Sequence, residues 1–293
     1  MITRVTTQMS MAAASARLQT GAARVAQLTE QATTLQAIQK PSDDPVGTAS
    51  SMQVRKEQAA AAQYTRNAND AVAWLATTDS ALSSVYSVLN SVRDLTVQAA
   101  NSGTMSDTDR DAFITQFRSL KSDLEARANT TYGTRSVFAG ASTAAAAYDP
   151  ATGWAASGTD VTRRIGDGTT VRVDTAGTDV FGTGASSVFG VLDSIVSDLQ
   201  NGVNVNARIN DVDGALGAVR GAQADVGVRH ATALAAQDSL KTASVALENR
   251  RAGIEDVDLA KAVLDLQVQQ TNYQAALAVT AKVLQPTLMD YLR

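Results

Sequence analysis

Apolar residues recur at alternating spacings of three and four near the start of the chain. This narrow pattern predicts a helix that pairs with another helix along one seam. We expect this helix to stop at Lys40 and Pro41, because the residue before a proline is pushed out of the helical region. The seam consists of Met11, Ala14, Leu18, Gly21, Val25, Leu28, Ala32 and Leu35.

The next two helices begin at recognisable caps. Asp44 can cap a second helix whose first residue is Pro45, where the missing N–H costs nothing. Its seam occupies residues 64–99 and breaks at 101–103. Ser106, with Asp109 three residues later, predicts the cap of a third helix that is short enough to fold back on the second.

Glycine, threonine and alanine dominate residues 141–184, and helical periodicity is lost there. Within this stretch, mostly apolar residues recur at every second position on both sides of a Gly-Asp-Gly turn at 166–168, which predicts a β-hairpin. The alternating residues are Val161, Arg163 and Ile165 before the turn, and Thr169, Val171 and Val173 after it.

Helical periodicity returns at Ser187 and is longest over residues 205–251. A helix of that length would extend roughly 70 Å. We expect Gly253 to interrupt it, with Glu255, Asp256 and Asp258 in the first turn of a last helix, where the helix dipole favours acids. The last seam is Leu259, Val263, Leu266, Gln270, Tyr273, Leu277, Thr280 and Leu284.

These elements predict a mainly α fold: a long antiparallel helical rod with a small β-containing insert at its tip. We expect a terminal coiled-coil assembly domain of residues 1–44 plus 254–293. A helical rod domain would comprise residues 45–140 plus 187–253, and a small β-rich insert domain residues 141–186. In this arrangement the first helix meets the last, and the second meets the longest.

The chain is 44% hydrophobic but only 4% aromatic. Because small side chains bury little area each, this composition favours many small contacts along extended helix seams. The net charge of -4 argues against nucleic-acid binding, and the absence of cysteine excludes disulfides and thiolate metal sites. No stretch is apolar enough for a membrane span, and no signal-peptide core follows the N-terminus. We therefore expect a chain that, if exported, leaves without a cleaved signal peptide.

The residues that could carry chemistry have simpler interpretations. His230 is the only histidine and has no ligand or nucleophile beside it in sequence, so a structural or partly exposed side chain is expected. The acids at Asp43, Asp44 and residues 255–258 fit helix starts better than cation sites. The Gly-Asp-Gly turn lacks the lysine and helix of a phosphate loop. We predict no catalytic residue, metal or cofactor, and hence no enzyme.

The terminal stripes are the candidate functional site. A stripe this narrow on an alanine-rich helix cannot bury itself in the core of one molecule, which favours packing between subunits. The predicted assembly seam is Met11, Leu18, Val25, Leu28, Leu35, Leu259, Val263, Leu266, Tyr273, Leu277 and Leu284.

Several motifs resemble the flagellin-like axial proteins of the bacterial flagellum, and among them the hook–filament junction proteins. They are KPSDDP at 40–45, QYTRN at 63–67, ANTT at 128–131, VFAG at 137–140, IGDG at 165–168, DVFG at 179–182, IEDVD at 254–258, YQAAL at 273–277 and KVLQP at 282–286. The resemblance covers nearly the whole chain apart from the alanine-rich part of the insert.

The resemblance implies a structural adaptor located at the hook–filament junction, outside the cell. It would leave unfolded through the flagellar type III export channel, with a cytoplasmic chaperone on its C-terminal helix. Its partners would be copies of itself in a ring, the proximal hook-associated protein and flagellin. Flagellin itself is the nearest alternative, and an intracellular coiled-coil adaptor is a more distant one. Flagellins usually have Lys-Asp-Asp-Ala where this chain has Ser-Asp-Asp-Pro, which favours the junction protein.

Overall fold

The computed structural model describes residues 7–101, 105–142, 144, 146–155 and 159–284. The chain forms two compact units, the first of residues 1–59 and 245–293 and the second of residues 60–244. The three-part division expected from the sequence stays a prediction.

Helices dominate the described residues, as the seams predict. They are α1 (Thr7–Thr34), α2 (Pro45–Asn101), α3 (Asp107–Ala128), α4 (Gly177–Phe181), α5 (Val188–Gln200), α6 (Arg208–Glu255) and α7 (Leu259–Leu284). Short 3-10 turns occupy Gly184–Ser186 and Val205–Ala207. The mainly α fold with a small β insert is confirmed.

The predicted caps are present. Asp44 Oδ1 accepts hydrogen bonds from the backbone N–H groups of Val46 at 3.1 Å and Gly47 at 2.9 Å, and Pro45 is the first residue of α2. Ser106 Oγ accepts from Asp109 N at 3.1 Å and donates to the Asp109 carboxylate at 2.6 Å. These two helix starts were therefore readable from local sequence. The predicted break of α2 falls partly on 102–104, outside the described residues.

The strands form antiparallel pairs. They are β1 (Thr131–Tyr132) with β2 (Arg135–Ser136), β3 (Tyr148–Asp149) with β4 (Gly153–Trp154), and β5 (Thr162–Gly166) with β6 (Thr169–Arg172). In the last pair Arg163 lies opposite Val171, and Gly168 takes a φ of 71° in the turn. This confirms the predicted hairpin.

The second unit contains one hydrophobic core. Residues of α2, α3, α5, α6 and the strand region share it, so the β-containing segment packs directly against helices. Phe138, Phe181 and Phe189 are fully buried there, and the rings of Phe138 and Phe181 meet edge to face at 5.4 Å. The third helix, expected to fold back on α2, packs most extensively against α5.

Ion pairs and hydrogen bonds join α2 to α6, which run antiparallel as expected. Within the second unit Arg93 pairs with Asp213 at 2.6 Å, and Gln223 donates to Ser83 Oγ at 2.9 Å. Within the first unit Gln58 donates to Glu248 at 2.9 Å. Specific polar partners therefore fix the register of this helix pair.

Two predicted boundaries are wrong. The first helix ends at Thr34 rather than at Lys40, because Leu35 adopts a left-handed φ of 60°. A leucine there costs about 1–2 kcal/mol. The backbone carbonyl of Leu35 accepts from Val257 N at 3.1 Å, and Gln36 forms a bridge with Asp256. These contacts between distant segments offset the cost.

Gly253 does not interrupt α6, which continues to Glu255. Glu255 and Asp256 consequently do not start α7, which was the predicted role of both. Asp258 does: its carboxylate accepts from Ala260 N at 3.0 Å and Lys261 N at 3.2 Å. The helix passes Gly253 because a glycine costs only about 1 kcal/mol there.

Candidate assembly surface

Helices α1 and α7 pack against each other within one chain. On α1, Leu28 is buried, and Leu18 and Val25 are half-buried on the same face. On α7, Ala262 is buried, and Leu266 and Tyr273 are half-buried. These two helices are the terminal pair. It accounts for part of the predicted seam without any neighbouring subunit.

A close approach in the middle of the terminal pair depends on glycine. A Cβ placed on Gly21 would lie 3.1 Å from Cδ2 of Tyr273. The aromatic ring therefore packs directly on the backbone of α1, and the missing side chain leaves room for it.

The remaining seam residues are exposed in the single chain. The exposed fractions are 45% for Met11, 50% for Leu259, 48% for Val263 and 42% for Leu277. Leu35 is 49% exposed and lies beyond the end of α1. Leu284 is the last residue of α7, and its side chain lies outside the described part. The structure thus separates the predicted seam into a paired part and an unpaired part.

A second apolar stripe on α7 was missed by the sequence analysis. Leu264, Val268 and Val279 are 63%, 60% and 62% exposed, and Ala275 is exposed between them. Their spacings of four, seven and four place them on one face, roughly opposite Ala262 and Tyr273. The sequence does contain this second stripe, at heptad spacing, beside the one that the sequence analysis identified on the same helix.

The outer surface of α1 is polar but nearly uncharged. Hydroxyl groups of Ser15, Thr20, Thr29 and Thr33 donate to backbone carbonyls within the helix. Arg17, Arg24 and Glu30 are its charged residues. Little charge therefore has to lose its water when another helix packs on this surface.

The described residues contain no group of three or more metal-ligating side chains. His230 is half-buried on α6, as expected for a structural histidine. No helix among the described residues is long and apolar enough to cross a membrane.

Comparison with known families adds to this geometry. Residues 5–143 match the family model of the bacterial flagellin N-terminal helical region, and residues 209–292 match that of the C-terminal helical region. Together the two models cover about three quarters of the chain. The chain belongs to the bacterial flagellin family. The terminal pair lies within the two matched regions.

Relatives within this family are of two kinds. Flagellar hook-associated protein 3 of Salmonella typhimurium is 31% identical over 180 residues, which is 61% of this chain and 56% of that protein. A flagellin of Listeria monocytogenes is 36% identical over 89 residues, 30% of this chain and 31% of that protein. The match thus spans little more than half of the first relative's length.

A solved structure shares the fold. A protein from Vibrio parahaemolyticus, assigned as a flagellar hook-associated protein, superposes with a TM-score of 0.67 at 22% identity. The superposition covers 73% of this chain and all of that one. It supports the arrangement of helices described above.

Proposed function

We propose that this chain is a non-enzymatic structural subunit of the bacterial flagellum that joins the hook to the filament. The observation that carries the proposal is the terminal pair, which leaves apolar residues exposed on opposite sides of α7. One partner helix covers only one side, so the other sides are available to neighbouring subunits. The neighbours would be copies of itself in a ring, a proximal hook-associated protein and flagellin.

The junction role is favoured over that of the filament subunit by the extent of similarity. The match to a hook-associated protein 3 spans 180 residues, twice the 89 residues matched in a flagellin. Flagellin remains the second candidate because that shorter match is 36% identical.

The same surface explains why a chaperone would be needed before assembly. Leu264, Val268 and Val279 would be exposed in the cytoplasm. A chaperone covering α7 would prevent association there and keep the chain ready for export through the type III channel. The chain would then function outside the cell.

Labelling of intact flagella tests the role. An antibody against the β5–β6 hairpin should mark one narrow band between hook and filament. Deletion of the gene for this chain should leave hooks without filaments. Labelling along the whole filament would instead identify a filament subunit.

A pair of matched variants tests the surface. Val268→Asp on α7 should leave the monomer folded but abolish filament attachment, because a charge on an apolar contact must be desolvated. Val228→Asp is the control, since Val228 is 68% exposed on the part of α6 that belongs to the second unit. Attachment that survives Val268→Asp, or is lost equally in both variants, contradicts the proposal.

A further inference from the structure

Glu255 is a buried carboxylate at the end of α6. The residue is 5% exposed, and its side chain accepts hydrogen bonds from Ser51 Oγ and, at 2.8 Å, from Arg55 Nε, both on α2. Arg251, one turn earlier on α6, donates to its other oxygen at 3.3 Å. A buried charge is tolerated when it is paired and hydrogen-bonded, and three donors meet that need here.

The backbone of the same residue holds a different part of the chain. Ala37 N, in the connection from α1 to α2, donates to the Glu255 carbonyl at 2.7 Å. Gln31 Nε2, on α1, donates to the Ala37 carbonyl at 3.0 Å. Glu255, at the end of α6, therefore contacts α2 through its side chain and the connection between α1 and α2 through its backbone.

The end of α1 and the start of α7 both lie close to Glu255 in the chain's connections. Val257 N donates to the Leu35 carbonyl at 3.1 Å, so the connection into α7 runs beside the one out of α1. The neighbouring acids are arranged differently. Glu248 pairs with Arg251 and accepts from Gln58 on α2, and Asp256 is exposed and forms the backbone bridge with Gln36.

We propose that Glu255 is a latch that couples the terminal pair to α2 and α6. While its carboxylate accepts hydrogen bonds from Ser51, Arg55 and Arg251, the connection between α1 and α2 stays beside the connection between α6 and α7. The adjoining ends of α1 and α7 are then held side by side. Loss of these contacts lets the connections separate, so the ends of α1 and α7 nearest to Glu255 open while the core of the second unit stays folded. This device belongs to the isolated chain and does not depend on the proposed role in the flagellum.

Hydrogen exchange on the purified full-length monomer tests the latch, with Glu255→Ala compared with Glu248→Gln. The control removes a carboxylate that also pairs with Arg251 but contacts neither connection. Glu255→Ala should speed exchange about tenfold at Ala37, at Val257 and in the adjoining turns of α1 and α7, the size expected on removing a buried hydrogen-bonded group. Exchange in α5 should not change, and Glu248→Gln should change these amides by less than about twofold.

Arg55→Met provides a milder test should Glu255→Ala unfold the whole chain. It removes one partner on an exposed side chain and should speed exchange at the same amides by a smaller factor. Unchanged exchange at Ala37 and Val257 in Arg55→Met and Glu255→Ala would overturn the proposal. Equal effects of Glu255→Ala and Glu248→Gln would overturn it as well.

Discussion

The terminal pair and α5 bury apolar surface to very different extents. Helix α5 has 13 residues, and six of its apolar side chains are buried: Val188, Phe189, Val191, Leu192, Ile195 and Leu199. Helices α1 and α7 have 28 and 26 residues, yet Leu28 and Ala262 are their only buried apolar residues in the described part. A broad stripe on one face can be buried by one core, whereas stripes on opposite faces need more than one neighbour.

Charge separates the terminal pair from α6. Helices α1 and α7 carry three charged residues each, whereas α6 carries twelve among 48 residues. Ion pairs cross from α6 to α2, but among the described residues none joins α1 to α7. Contact within the terminal pair therefore depends mainly on apolar side chains, and such contacts can be extended by a second helix of similar surface.

The largest expected effect of a single substitution lies in α5. Leu192 is 1% exposed, so Leu192→Ala should lower the free energy of unfolding by about 2–5 kcal/mol. Leu28→Ala makes the same change in the terminal pair, where it should speed local hydrogen exchange but barely shift the main urea transition. Equal shifts of that transition in the two variants would show that both regions unfold as one cooperative unit.

Acid should act on the terminal pair before it acts on α5. Arg55, followed by Ser51 and Arg251, lowers the pKa of Glu255 against the opposing effect of burial. A group with a lowered folded-state pKa stabilises the fold above its unfolded pKa, about 4.3 for glutamate, and loses this effect as the pH falls through its folded value.

Exchange at Ala37 and Val257 should therefore rise as the pH is lowered from about 4.3 toward the folded pKa of Glu255, after correction for the intrinsic exchange rate. Glu255→Gln should remove this pH dependence while leaving the side-chain volume unchanged. An identical acid response in wild type and Glu255→Gln would assign the titration to another group.

A smaller effect is expected at Gly253, where a sequence-based boundary was wrong. An added Cβ meets nothing within 4 Å, and the residue lies inside α6. Gly253→Ala should therefore raise helix stability by about 0.5–1 kcal/mol, detectable as slower exchange over the last turns of α6. Faster exchange over these turns in Gly253→Ala would contradict a continuous helix at Gly253.

Local chemistry made most of the fold predictable. Asp44, Ser106 and the Gly-Asp-Gly turn act on residues within a few positions, so their roles could be read directly. The end of α1 could not, because Leu35 is held left-handed by a segment more than 200 residues away. Glu255 looked like a helix-start acid for the same reason, since its partners Ser51 and Arg55 are equally distant in sequence.

The candidate surface was predictable only in part. Counting one heptad stripe per helix identified Leu28, Leu266 and Tyr273, which the structure places at the contact within the terminal pair. It also identified Leu259, Val263 and Leu277, which that contact leaves exposed. The stripe of Leu264, Val268 and Val279 was missed because it became distinct only once the position of α1 was known.

Comparative hydrogen exchange of the purified monomer and of assembled flagella tests the central claim most directly. In the monomer, amides of α1 and α7 should exchange at least about 100-fold faster than those of α5, and assembly should remove most of that difference. Monomer amides of α1 and α7 as protected as those of α5, or no added protection on assembly, would contradict the claim that these helices are completed by neighbouring subunits.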